Sequence, residues 1–133
     1  MDTTDEQPLE QPSRNSTTLI WALRLLIVAI FVPAGIMKIT GTATMVTEFQ
    51  TLGLGDEFRH FTGIVELVGG TLALVPALSV FGTLLLLAVD IGAFVAQVTV
   101  LHIDWIHTVV IGALLAVLAY QQGRQIFSQP ATW

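Results

Sequence analysis

Apolar residues fill four long stretches of this chain: about Leu19 to Ile39, Phe61 to Ala77, Val80 to Leu101 and Trp105 to Tyr120. A helix needs about 20 residues to cross the hydrocarbon core of a bilayer, with a working range of about 17–25. All four stretches come near that length, so the pattern predicts four transmembrane helices. Pro76 closes the second and leaves only a short turn before the third, which predicts a tight antiparallel hairpin. His102-Ile103-Asp104 makes an equally short turn into the fourth helix, with Asp104 placed to cap it. The expected fold is all-α, an integral membrane four-helix bundle.

The long connection runs from Thr40 to His60. Met45, Phe49 and Leu52 fall at i, i+4 and i+7, with Thr44, Thr47, Glu48 and Thr51 between them and Gly53 as a stop. That spacing fits a short amphipathic helix lying on the membrane surface. A solvent loop with scattered apolar residues is the alternative. Residues 1–16 hold Asp2, Asp5, Glu6 and Glu10 against Arg14 alone, together with Pro8 and Pro12, and read as a disordered acidic tail. Residues 17–122 form the membrane domain, and 123–133 a short C-terminal tail. The first apolar run has no basic flank before it and continues past Pro33 to Lys38, so a cleaved signal peptide is not expected.

Composition sharpens the class. Of the 133 residues, 53% are hydrophobic and 11% charged, against about 25% charged in soluble domains. Too few charges remain to build a water-facing surface, so the lipid bilayer is the first partner. A formal charge of −5 with no basic cluster gives no support to nucleic-acid binding or to polybasic lipid recognition. The absence of cysteine removes disulfides, thiol relays and Cys-ligated metal centres. Trp21, Trp105 and Tyr120 sit near expected helix ends, as interfacial anchors do. Arg14, Arg24 and Arg124 fall on the side of the termini and Lys38 and Arg59 on the other. That balance favours both termini in the cytoplasm, with the chain in an inner or plasma membrane.

The chemistry lies in the residues that interrupt the apolar runs. Arg24, Lys38, Glu66 and Asp90 fall in or at the ends of spans, where an ionised group costs at least ~2.5–3.5 kcal/mol and so turns inward to a partner. Arg24, Val28, Phe31, Gly35 and Lys38 follow one stripe of the first helix. Gly63, Glu66 and Gly70 share a stripe on the second, where small residues allow a neighbour close. Asp90 and Gln97 share a face of the third. Side chains lean toward their helix N-terminus, so Lys38 and Glu66 converge, and Arg24 is expected to reach Asp90. Gln97 and His107 lie toward the Lys38 end. Such pairs either fix helix register or form a proton or ligand site. His102-x-Asp104-x-x-His107 has metal-capable side chains, but a closed site needs further ligands, and no metal is expected there.

Two segments carry a resemblance. Phe31-x-x-Ala34-Gly35-x-x-Lys38 in the first helix and Gly63-x-x-Glu66-x-x-Gly69-Gly70 in the second resemble the paired signatures of the DoxX-like membrane proteins. The likeness spans about residues 19–122. It implies a four-helix membrane bundle; the glycines it matches, Gly35, Gly63, Gly69 and Gly70, are small residues of the kind that let helices pack closely. It also implies an association with membrane oxidoreductases, since the family is named for a subunit of an archaeal thiosulfate:quinone oxidoreductase. Asp90 matches no position of that signature.

Three functions remain open. The first is a small subunit of a quinone-linked membrane oxidoreductase, with Lys38 and Glu66 at a quinone headgroup and electrons passed by the quinone or a partner subunit. The second is a non-catalytic scaffold or assembly partner whose ion pairs serve the fold. The third is a small transporter or proton pathway through Asp90, which in four short spans would call for a homo-oligomer.

Overall fold

A computed structural model describes residues 14–128, with side chains from 17 to 124. Residues 1–13 of the expected acidic tail and 129–133 of the C-terminal tail lie outside the described residues. The chain is all-α: α1 (Arg14–Thr40), α2 (Ala43–Thr51), α3 (Gly55–Leu74), α4 (Ser79–Ala96) and α5 (Ile106–Ser128), with a π-helical turn Gln97–Leu101 closing α4. No strand occurs among the described residues.

The long helices pack antiparallel to their chain neighbours. Gly35 of α1 meets Gly63 of α3 while Val32 meets Gly70, so the two run in opposite directions. Ala73 and Gly69 of α3 meet Gly82 and Leu86 of α4 in the same reversed order. Hydrogen bonds between Thr83 and Gln122 and from Thr108 to Gln97 fix α4 against α5. The start of α1 therefore shares one end of the molecule with the α3–α4 turn and the close of α5. Lys38, α2 and the α4–α5 turn share the other. Ile20, Leu23, Ile27 and Phe31 of α1, Leu86 of α4 and Leu115 and Leu118 of α5 form the apolar core.

Local sequence explains the boundaries. Gly41, at φ +72°, takes the left-handed position that ends α1, and its N–H reaches back to the Met37 carbonyl. The Thr40–His60 connection is largely helical: α2 occupies its middle and packs on α3, with Phe49 buried beside Phe58 at a ring distance of 6.2 Å. Helix α3 begins at Gly55, six residues before the apolar run at Phe61. Its first turn carries Asp56 and Glu57, which suit the positive end of the helix dipole although they break the hydrophobic pattern. Val75 and Pro76 end α3, and Ser79 donates to the Pro76 carbonyl to close the turn. Asp104 accepts from the Ile106 N–H at the start of α5.

Among the described residues, three helical segments are long and apolar enough to cross a membrane: Thr17–Thr40, Ser79–Leu101 and Ile106–Arg124. Helix α3 is long enough but carries Asp56, Glu57, Arg59 and Glu66 within its 20 residues.

Candidate functional site

Two polar clusters occupy opposite ends of the helices, with Asp90 between them. The first centres on Lys38, whose ammonium donates to both Glu66 oxygens, at 3.0 and 3.1 Å. Both side chains are well shielded, 13% and 4% exposed. The glycines explain how they meet. A Cβ on Gly35 would stand 2.9 Å from the Gly63 carbonyl, and one on Gly63 would stand 2.9 Å from the Gly35 carbonyl. Backbones in contact at that point bring the Lys38 and Glu66 stems alongside each other. The Cβ of Lys38 is 3.1 Å from the Gly63 position and that of Glu66 is 3.3 Å from the Gly35 position.

Arg59 extends this cluster. It is buried, its Nε and Nη2 donate to Asp56 Oδ1 at 3.3 and 3.1 Å, and its Nη1 donates to the Lys38 carbonyl. Its guanidinium packs against Gly41, where nitrogen lies 3.1 Å from a Cβ position. A cation from the first turns of α3 thus satisfies a carbonyl at the C-terminal, negative end of α1. The sequence pattern assigns Arg59 to a loop, because the apolar run starts after it. The one cue is its i, i+3 spacing from Asp56.

At the same end, Gln97 of the π-helical turn accepts from Thr108, and its amide nitrogen lies 3.5 Å from His107 Nε2. Thr108 is buried, Gln97 half-buried and His107 exposed. His102 closes the turn in the left-handed region at φ 49°. Asp90, 7% exposed, rests against Gly112, where a Cβ would stand 2.7 Å from its Oδ2.

The expected Arg24–Asp90 pair does not form. Arg24 donates to Ser79 Oγ at 3.1 Å and lies 4.9 Å from the Trp21 ring centre. The reason is depth: Ser79 opens α4 and Asp90 lies eleven residues further on, roughly 16 Å along the axis at 1.5 Å per residue. The guanidinium leans toward the N-terminus of α1, away from Asp90. Around it gathers a second cluster that hydrophobic periodicity does not reveal. Ser79 and Thr83 lie one turn apart on α4; the Thr83 hydroxyl donates to the Ser79 carbonyl at 2.8 Å and stands 3.1 Å from the side-chain amide of Gln122 on α5. Single hydroxyls and an amide near helix ends carry no periodic signal, so only the i, i+4 spacing of Ser79 and Thr83 hints at a shared face.

Polarity is inverted relative to a water-soluble fold. Arg24, Glu66, Ser79, Thr83, Asp90, Thr108 and Gln122 are buried, while Leu25, Phe61, Phe81, Ile91, Val95 and Val110 face outward. Apolar helices that hide charged groups and expose large aliphatic ones define an α-helical membrane protein. Residues 22–120 match the DoxX-like family, and the chain belongs to it. No curated protein and no solved structure shows a significant match.

Proposed function

We propose that this chain is a four-span, non-catalytic subunit that docks a partner in the membrane, both termini lying on the cytoplasmic face. One observation carries the reading: Lys38 and Glu66 satisfy each other inside a backbone-to-backbone crossing of α1 and α3. The pair lets α3 enter the bilayer despite its charges, because Glu66 meets a cation on the adjoining helix and Arg59 is spent on Asp56 and the Lys38 carbonyl. At the same crossing Gly35 and Gly63 hold the two backbones in direct contact on one side of the pair. The partner class follows from the family resemblance, a component of a membrane oxidoreductase.

The test is a mutant cycle. Removing one member of a buried pair strands the other charge and costs about 3–5 kcal/mol, whereas replacing both with apolar groups is often neutral. Lys38→Met and Glu66→Leu are each expected to lower the yield and thermal midpoint of detergent-purified protein, and the double variant to recover both and still co-purify its partner. A folded double variant that loses the partner or its activity would contradict a purely structural role.

A second reading, that the subunit receives a quinone, is favoured by Gln97, Thr108 and His107. Their hydrogen-bonding groups lie at a partly exposed edge between α4 and α5, where a headgroup with two carbonyl acceptors has access. Redox difference spectra with added ubiquinone or menaquinone test it, and a silent spectrum without a co-purifying flavoprotein counts against it.

A further inference from the structure

Asp90 is a buried ionisable group that neither polar cluster uses. It stands eleven residues from either end of the membrane-length segment Ser79–Leu101, at the middle of that span. It is 7% exposed, and among the described residues no hydrogen bond or ion pair reaches its carboxyl. The charged groups of the neighbouring helices are engaged elsewhere. On α1, Arg24 bonds Ser79 at one end of the bundle, and Lys38 holds Glu66 of α3 at the other. Arg59 of α3 is bound to Asp56 and to the Lys38 carbonyl. On α5, the exposed His107 sits beside Gln97, and Arg124 lies 5.9 Å from the Tyr120 ring centre. A carboxylate without a counter-charge is strongly disfavoured in hydrocarbon, and a carboxyl so placed takes a proton instead.

The packing gives this carboxyl room and a direction. A Cβ on Gly112 would stand 2.7 Å from Asp90 Oδ2, so the side chain that α5 lacks is the space the carboxyl occupies. Toward the Arg24 end come Leu86, one turn before Asp90, and Leu115, one turn after Gly112. Both are fully buried members of the apolar core. Toward the α2 end, Ala93, Phe94 and Ile111 are only half-buried. Thr108 stands one turn before Gly112, about 6 Å along the axis at 1.5 Å per residue. It bonds Gln97, whose amide nitrogen lies 3.5 Å from the exposed His107. Polar groups therefore lead from near the carboxyl to the surface on that side, and aliphatic side chains close the other.

We infer that Asp90 is a proton-binding site: a carboxylic acid held neutral at the centre of the bundle, exchanging its proton with the α2-end surface past Thr108 and Gln97. Exchange is from one side, so the site takes up and returns a proton rather than passing it through. The inference needs α4 to cross the membrane but not the Lys38–Glu66 pair, a quinone or a protein partner.

Full-length protein in a non-ionic detergent at neutral pH is followed by infrared spectroscopy and by labelling with dicyclohexylcarbodiimide. A carboxylic acid adds across a C=N bond of this apolar reagent, its proton passing to nitrogen. The wild type is expected to show a protonated-carboxyl C=O stretch that shifts in deuterated water, and a labelled peptide that contains Asp90. Both should vanish in Asp90→Asn, which keeps the size of the neutral acid. Labelling of the wild type reads the same property if that variant fails to fold. Thr108→Val replaces a hydroxyl with a methyl on the open side and should slow deuterium exchange of the band severalfold. Thr83→Val makes the same change at the closed end and should not. Absence of both band and label from the wild type would overturn the proposal, as would a band that survives Asp90→Asn unchanged. Exchange unaffected by Thr108→Val, or slowed by Thr83→Val instead, would overturn the route.

Discussion

Among single residues, the glycines separate positions where backbone contact is required from positions where it is not. A Cβ at Gly82 would stand 2.5 Å from both the Ala73 nitrogen and the Gly69 carbonyl, and neither can move without parting α3 from α4. At Gly112 the obstacle is the Asp90 carboxylate, a side-chain end that can rotate away. At Gly92 nothing lies within 4 Å. Thermal midpoints in detergent should therefore fall most for Gly82→Ala, by the equivalent of about 1–3 kcal/mol for overpacking, and less for Gly112→Ala. Gly92→Ala should be neutral or slightly stabilising, because Ala is the better helix former. A Gly92→Ala loss as large as that of Gly82→Ala would contradict the packing described here. Lys38 and Glu66 are legible in the sequence because their spacing and the lean of helical side chains fix where they point. Arg24 misled because the same reasoning gives direction along a helix but not the depth at which a neighbour begins.

The short elements depend on fewer contacts. Helix α2 joins the rest through Phe49, buried against α3, and hangs between glycines 41 and 53, both at positive φ. Phe49→Ala removes the large apolar side chain that seats it, a change that costs about 3–5 kcal/mol at a buried site. The expected result is rapid amide exchange over 43–51 with the long helices still protected; uniform loss of protection would show that α2 is integral to the core. The π-helical turn before His102 is the other irregular element. A non-glycine residue at φ 49° is strained, so His102→Gly should leave stability unchanged or raise it, by up to about 1–2 kcal/mol. His102→Val should lower it, since a β-branched residue avoids that region. Pro76 and Asp104 announce their turns in sequence, and the i, i+4, i+7 apolar positions announce α2. The start of α3 and the π-helical turn do not show. In the first, dipole-favoured acids hide a helix start from a hydrophobic scan, and in the second, π and α turns share the same apolar composition.

For the whole molecule, the open question is whether α3 crosses the bilayer with its neighbours. It packs antiparallel between α1 and α4, and its charged groups either lie at the α2 end or pair within the bundle. The chain contains no cysteine, so single engineered cysteines report cleanly on topology. Glu57→Cys and Ala77→Cys stand at exposed positions before and after α3. In sealed vesicles of known orientation, a membrane-impermeant maleimide should label one of them only from outside and the other only after the vesicles are opened. Labelling of both from the same side would contradict the account, because α3 would then lie along the membrane and the Lys38–Glu66 pair would have nothing to carry across.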